Sequence, residues 1–127
     1  MTLAAVLAVC LLVILVVFQL TLAAGAPYGD MAWGGRTAGV LPRTLRLASG
    51  VVGLLVYPLI ILAILSASGL LRIDGLPVVG TAAMWVLAAF FVLGALMNGA
   101  SRSRRERIWA PVSLVIAGCC AMIALGL

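Results

Sequence analysis

The stretch LASGVVGLLVYPLIILAILSASGLL, residues 47–71, contains no Asp, Glu, Lys or Arg and is almost wholly apolar. A hydrocarbon core about 30 Å thick is crossed by roughly 20 helical residues, so this run is long enough to span a bilayer once. Outward from it lie three more runs of the same character, Met1 to Gly29, Gly75 to Ser101 and Ile108 to Leu127. Together they predict an all-α membrane protein, a bundle of four transmembrane helices over about residues 2–24, 45–70, 79–98 and 108–126. The segments between the spans are too short to bury a core of their own, so residues 1–127 read as a single membrane domain.

Composition agrees. Hydrophobic residues make up 66% and charged residues 9% of the chain, where soluble domains run near half and about a quarter. A net charge of +5 on a soluble basic face would suggest nucleic acid. Here the eight basic residues flank membrane spans, so a topological role is expected and nucleic acid is not. All eight are arginine, amid abundant Ala, Val, Leu and Gly, which fits a GC-rich bacterial gene and hence a bacterial cytoplasmic (inner) membrane.

Positive residues are retained on the cytoplasmic side during insertion. The first loop carries Arg36, Arg43 and Arg46 against Asp30, and the third carries Arg102, Arg104, Arg105 and Arg107 against Glu106. The second holds only Arg72 and Asp74. Loops one and three are therefore expected inside, giving an N-out, C-out topology. The first span lacks a positive n-region, and its apolar run exceeds the 7–15 residues of a signal peptide's core, so it reads as a retained helix.

Local signals refine the spans. Gly25, Pro27 and Gly29 end the first helix, and Pro42 suits the first turn of the second. Pro58 removes the bond to the carbonyl of Leu54 and predicts a kink in helix two. Asp74-Gly75 and Pro77 mark a tight outer turn. Trp85 and Trp109 fall at span ends, where indole rings favour the headgroup region, and helices three and four should form a hairpin around Ser101 to Arg107. Small residues at Ala4 and Ala8, at Gly50, Gly53, Ala63, Ser66 and Ala67, and at Ser113, Ala117, Ala121 and Ala124 predict close helix packing; a homo-oligomer or docking to a larger membrane complex is the alternative use.

The chain has no His, and no charged residue lies in the interior of a span. Ion-coupled transporters, pumps and voltage sensors generally need intramembrane ionisable groups, so those classes are disfavoured. No metal or cofactor is expected either. Cys119 and Cys120 are adjacent on one helix, Cys10 is on another, and no Cys-x-x-Cys pair exists, so the thiols read as small buried hydrophobes. No enzyme is expected: only Asp30 and Glu106 are placed for acid–base work, and both lie beside arginines that favour their charged forms.

Two candidate sites follow. Gln19, Thr21, Ser49, Asn98 and Ser113 should lie at similar depth near the inner leaflet, where they either hydrogen-bond between helices or form a polar pocket. At its rim, the turn-rich segment Gly25 to Arg36 can present backbone N–H groups to an anion, flanked by Arg36, Arg43, Arg46, Arg102, Arg104, Arg105 and Arg107. An anionic lipid headgroup or phosphate suits that chemistry through bidentate guanidinium contacts.

Gly25-Ala26-Pro27-x-Gly29, Trp33-Gly34-Gly35, Leu41-Pro42-x-x-Leu45-Arg46-x-x-Ser49 and Asn98-x-x-Ser101-x-Ser103-x-x-Glu106-Arg107 cover much of the chain. In these motifs it resembles an uncharacterised family of small bacterial four-helix integral membrane proteins. The resemblance implies four spans and a bacterial origin but no activity. Two function classes remain: an accessory or lipid-interacting module with a basic cytoplasmic face, or a small channel or carrier for a neutral or lipophilic solute.

Overall fold

The computed structural model describes residues 1–127 and contains no strand. Its four long helices are α1 (Thr2–Ala23), α2 (Arg43–Ala67), α3 (Thr81–Gly99) and α4 (Trp109–Ala124), the last entered through a 3₁₀ turn at Glu106–Ile108. With that turn counted in the fourth, each is long and apolar enough to cross a membrane. The protein is a four-span, multi-pass bundle. Loops one and three meet at one end, and loop two and both termini lie at the other.

Helix α1 stands between α2 and α4, and α3 packs closely along α4, whereas α2 and α3 barely touch. Lipid tails are as apolar as leucine, so these helices associate through close packing rather than hydrophobic transfer. Small side chains allow the approach. Ala4, Ala5 and Ala8 of α1 share a buried cluster with Ile116, Cys119 and Cys120 of α4. The small-residue face expected on α4 is thus only part of the seam: Ser113 and Ala117 are buried, but Ala121 and Ala124 are half-buried beside Ile123. Large side chains such as Leu54, Leu93 and Leu114 stay on the outside, as lipid-facing surfaces require.

Where a kink is expected at Pro58, the helix runs on through a π-helical turn, Val52–Val56, that ends two residues before the proline. The Tyr57 N–H bonds the Val52 carbonyl, so one wide turn absorbs the ladder disruption that Pro58 imposes. Gly53 lies inside that turn and faces α1. A Cβ there would come 3.0 Å from Leu20 Cδ2 and 3.2 Å from Gln19 Cβ, whereas one at Gly50 would meet only Ala23 at an ordinary 3.7 Å. Gly53→Val should therefore cost roughly 1–3 kcal/mol of stability by overpacking, read as a lower unfolding midpoint in detergent, while Gly50→Ala is tolerated.

Helix ends differ from expectation by a few residues. Pro42 is the N-cap rather than a first-turn residue, so α2 starts at Arg43, and it stops at Ala67 because Gly69 turns left-handed at φ +78°. Helix α3 begins only at Thr81: Gly80 is extended, and the Val79 N–H is taken by Ser66 Oγ at 3.1 Å. Helix α4 begins at Trp109 and ends at Ala124, ahead of Gly126 at φ +76°.

Candidate functional site

The basic end of the bundle is covered by a built cap. Residues 24–42 fold into two 3₁₀ turns, Gly29–Met31 and Trp33–Gly35, rather than an open loop. Trp33, Gly34 and Gly35 have successive φ values of +52°, +86° and +69°. A left-handed tryptophan costs roughly 1–2 kcal/mol, so other contacts must hold it. Its indole N–H donates to Ser49 Oγ on α2 at 2.9 Å. Trp109 anchors the cap from α4 by donating to the Met31 carbonyl at 3.0 Å, while its ring packs at a tilt of 41° against Phe18, centroids 4.7 Å apart. That tryptophan binds the cap to the bundle in addition to lying at a span end.

Glu106 is the centre of the fastening. It is buried, with 6% of its surface exposed. Its Oε1 accepts from the Gly34 N–H at 3.3 Å and its Oε2 from the Ser101 hydroxyl at 3.0 Å. The sequence Ser103-x-x-Glu106 has the form of a capping box, and Ser103 Oγ accepts from the Glu106 N–H at 3.4 Å. The carboxylate, however, reaches across to loop one instead of back to Ser103, whose N–H goes to Ser101 Oγ at 3.2 Å. Ser103 in turn donates to the Asp30 carbonyl. Glu106, expected as a loop carboxylate balancing arginines, is thus a buried internal acceptor. It occupies the Gly34 N–H of the segment expected to offer its donors to an outside phosphate.

The seven candidate arginines are not gathered around one point. Arg105 pairs with Asp30 at 3.1 Å and lies over the Tyr28 ring at 5.6 Å. Arg107 Nε donates to the Ser101 carbonyl at 2.7 Å. Arg46 Nε donates to the Ala23 carbonyl at 3.1 Å, satisfying an orphan acceptor at the C-terminus of α1. Arg104 is exposed. Arg36 and Arg102 border a recess over Ala100 and Ser101. Arg43 and Arg46 border a separate apolar groove that continues along Leu47, Val51 and Leu54 on the outer flank of α2.

Under the cap, on the other flank of α2, lies a cleft of about 600 Å³. It exists because its two walls are drawn elsewhere: α2 closes on α1 through Gly53, and α3 closes on α4, with Gly94 beside Ser113 and Gly99 beside Ala110. The gap left between α2 and α3 reaches α1 at its floor. Of the five polar residues expected to converge, Gln19, Asn98 and Ser113 line this cleft. Ser49 does not: it is fully buried beneath Trp33. Thr21 is exposed and donates to the Phe18 carbonyl at 2.6 Å.

Fold and site together define a four-span membrane protein whose basic end carries a fastened loop cap over a lateral cleft. Comparison with family models, curated proteins and solved structures finds no match. The residues that sequence reading undervalued are Glu106, Ser101 and Ser103. Their signal was the capping-box spacing, which marks a local helix start but does not reveal a partner seventy-two residues away.

Proposed function

We propose that this chain is a bacterial inner-membrane protein without catalytic chemistry, an accessory or lipid-interacting four-helix module that holds anionic lipid against its basic cytoplasmic face. The observation that carries this reading is the groove bordered by Arg43 and Arg46. Two guanidinium groups stand where a headgroup would lie, and Leu47, Val51 and Leu54 continue beneath them where an acyl chain would run. The non-catalytic reading draws support from the carboxyls at this end: Asp30 is paired with Arg105, and Glu106 is buried and engaged by Gly34 and Ser101. Such a module acts as a homo-oligomer or within a larger membrane complex.

Native mass spectrometry of protein taken from vesicles containing phosphatidylglycerol tests the lipid. Arg43→Ala should lower retained anionic lipid about three- to tenfold without loss of fold, since Arg43 is exposed. Arg46→Ala should release lipid too but also removes the cap on Ala23, so Arg43→Ala is the cleaner variant. Equal retention of phosphatidylglycerol and phosphatidylcholine by the unaltered protein would exclude the reading.

The second reading, a small channel or carrier for a neutral or lipophilic solute, draws on the cleft beside the π-helical turn of α2. Its test is solute flux into liposomes. Flux abolished by Pro58→Ala or Asn98→Ala would favour it over the accessory role.

A further inference from the structure

We propose that the cleft between α2 and α3 is a binding site for a neutral lipid with a free hydroxyl head, of the diacylglycerol class. This goes beyond the anionic-lipid reading and stands on the opposite flank of α2, on different residues.

Three observations select the ligand. The first is an unanswered acceptor: the side-chain oxygen of Gln19 is buried at the cleft and has no hydrogen-bond partner. A buried acceptor left without a donor is costly, and a turn of the Gln19 side chain toward the cleft lets a ligand hydroxyl supply that donor. The second is the sign of the surroundings. Glu106 also lines the cleft, so a phosphate seated there would meet an acceptor-only carboxylate, and Arg36 is the sole basic residue of the lining. A neutral head avoids this conflict. Donors are also present for ester carbonyls, from Tyr57, Asn98 and Ser113, which favours a glyceride over a plain long-chain alcohol.

The third is shape and depth. The volume of about 600 Å³ lies within the range of small-molecule sites. The apolar walls, Val52 and Val56 from α2 and Phe90 and Gly94 from α3, come from two helices that barely touch, so the cleft opens sideways toward lipid. Gln19 lies about one helical turn below the end of α1 at Ala23, roughly 6 Å at 1.5 Å per residue. Gln19 therefore stands just inside the basic end of the bundle. The head then sits under the cap, and one chain leaves between α2 and α3.

The test uses the full chain in phosphatidylcholine nanodiscs with a diacylglycerol carrying a photoreactive diazirine on one acyl chain, with labelled positions read by mass spectrometry. Label is expected on the cleft walls, and excess unlabelled diacylglycerol should compete it away, whereas phosphatidylglycerol should not. Gln19→Leu should weaken labelling about tenfold while raising the thermal midpoint of the lipid-free protein in detergent, because the unpaired acceptor is gone. Val56→Trp from one wall and Gly94→Leu from the other should each block labelling, so either suffices if its partner variant fails to fold. Arg43→Ala should leave labelling unchanged, which separates this site from the arginine groove. Label spread evenly over lipid-facing positions such as Leu54 and Leu93, equal labelling by a phosphatidylglycerol probe, or undiminished labelling in a folded wall variant would overturn the proposal.

Discussion

Gly35→Ala is expected to destabilise the protein by roughly 2–4 kcal/mol and to open loop one to protease, although it adds a single methyl group. Two separate costs meet at this position. The φ of +69° lies in the left-handed region, where a side chain costs roughly 1–2 kcal/mol that glycine avoids. The new Cβ would also collide with Ser103 Cβ, and it would approach the Asp30 carbonyl oxygen at 3.1 Å and Glu106 Oε2 at 3.2 Å. These neighbours are the groups that fasten loop one to loop three, so they cannot retreat without breaking the fastening. Gly39→Ala isolates the first cost. Its φ is +82°, yet nothing lies within 4 Å of its Cβ position, so only about 1 kcal/mol should be lost. Thermal unfolding in detergent, with limited proteolysis of residues 24–42, reads both variants. If the two fall equally, backbone strain alone governs these glycines and the seat against Ser103 is unimportant.

The contrast between those two glycines shows what a sequence can and cannot disclose about this chain. The spans were legible because the absence of charge over a membrane's thickness has one common physical explanation, and residues 47–71 carry that signal unaided. The irregular stretch before Pro58 was legible in place but not in form, since proline specifies which bond is lost and the packing of Gly53 on Leu20 and Gln19 accompanies the way the turn widens. Gly35 and Gly39 look alike in the sequence. Only the fold shows that one is wedged against Ser103 and the other faces open space. The polar set was legible by depth, because counting residues from the span ends places Gln19, Ser49 and Ser113 near one level. Depth says nothing about azimuth, so Ser49 turned out to serve Trp33 while Gln19 and Ser113 face the cleft. The cleft itself depends on which helices neighbour one another, and no local periodicity encodes the order α2, α1, α4, α3.

Glu106→Ala should produce the second large effect, a loss of roughly 2–4 kcal/mol, because it strands the buried Ser101 hydroxyl, releases the Gly34 N–H and leaves a cavity. The carboxylate takes the Gly34 N–H and the Ser101 hydroxyl, two groups that come from different loops. An unsatisfied buried donor costs roughly 1–3 kcal/mol, and the cavity left by the side chain adds to it. Glu106→Gln keeps the shape and one acceptor oxygen, and its amide can donate to Ser101 Oγ if that hydroxyl turns. Its loss should therefore be near 1 kcal/mol, with loop one still seated. Asp30→Ala provides the surface comparison. The Asp30–Arg105 pair has side chains 28% and 52% exposed, and a pair so placed is worth only about 0–1 kcal/mol. Stability should thus rise in the order Glu106→Ala, Asp30→Ala or Glu106→Gln, unaltered protein. Hydrogen exchange at the Gly34 amide gives the structural readout: fast in Glu106→Ala, slow in Glu106→Gln and Asp30→Ala. Should the Gly34 amide stay protected in Glu106→Ala, the cap is held by Trp33, Trp109 and Ser103 without the carboxylate. The buried glutamate would then be a tenant of the site rather than its fastener.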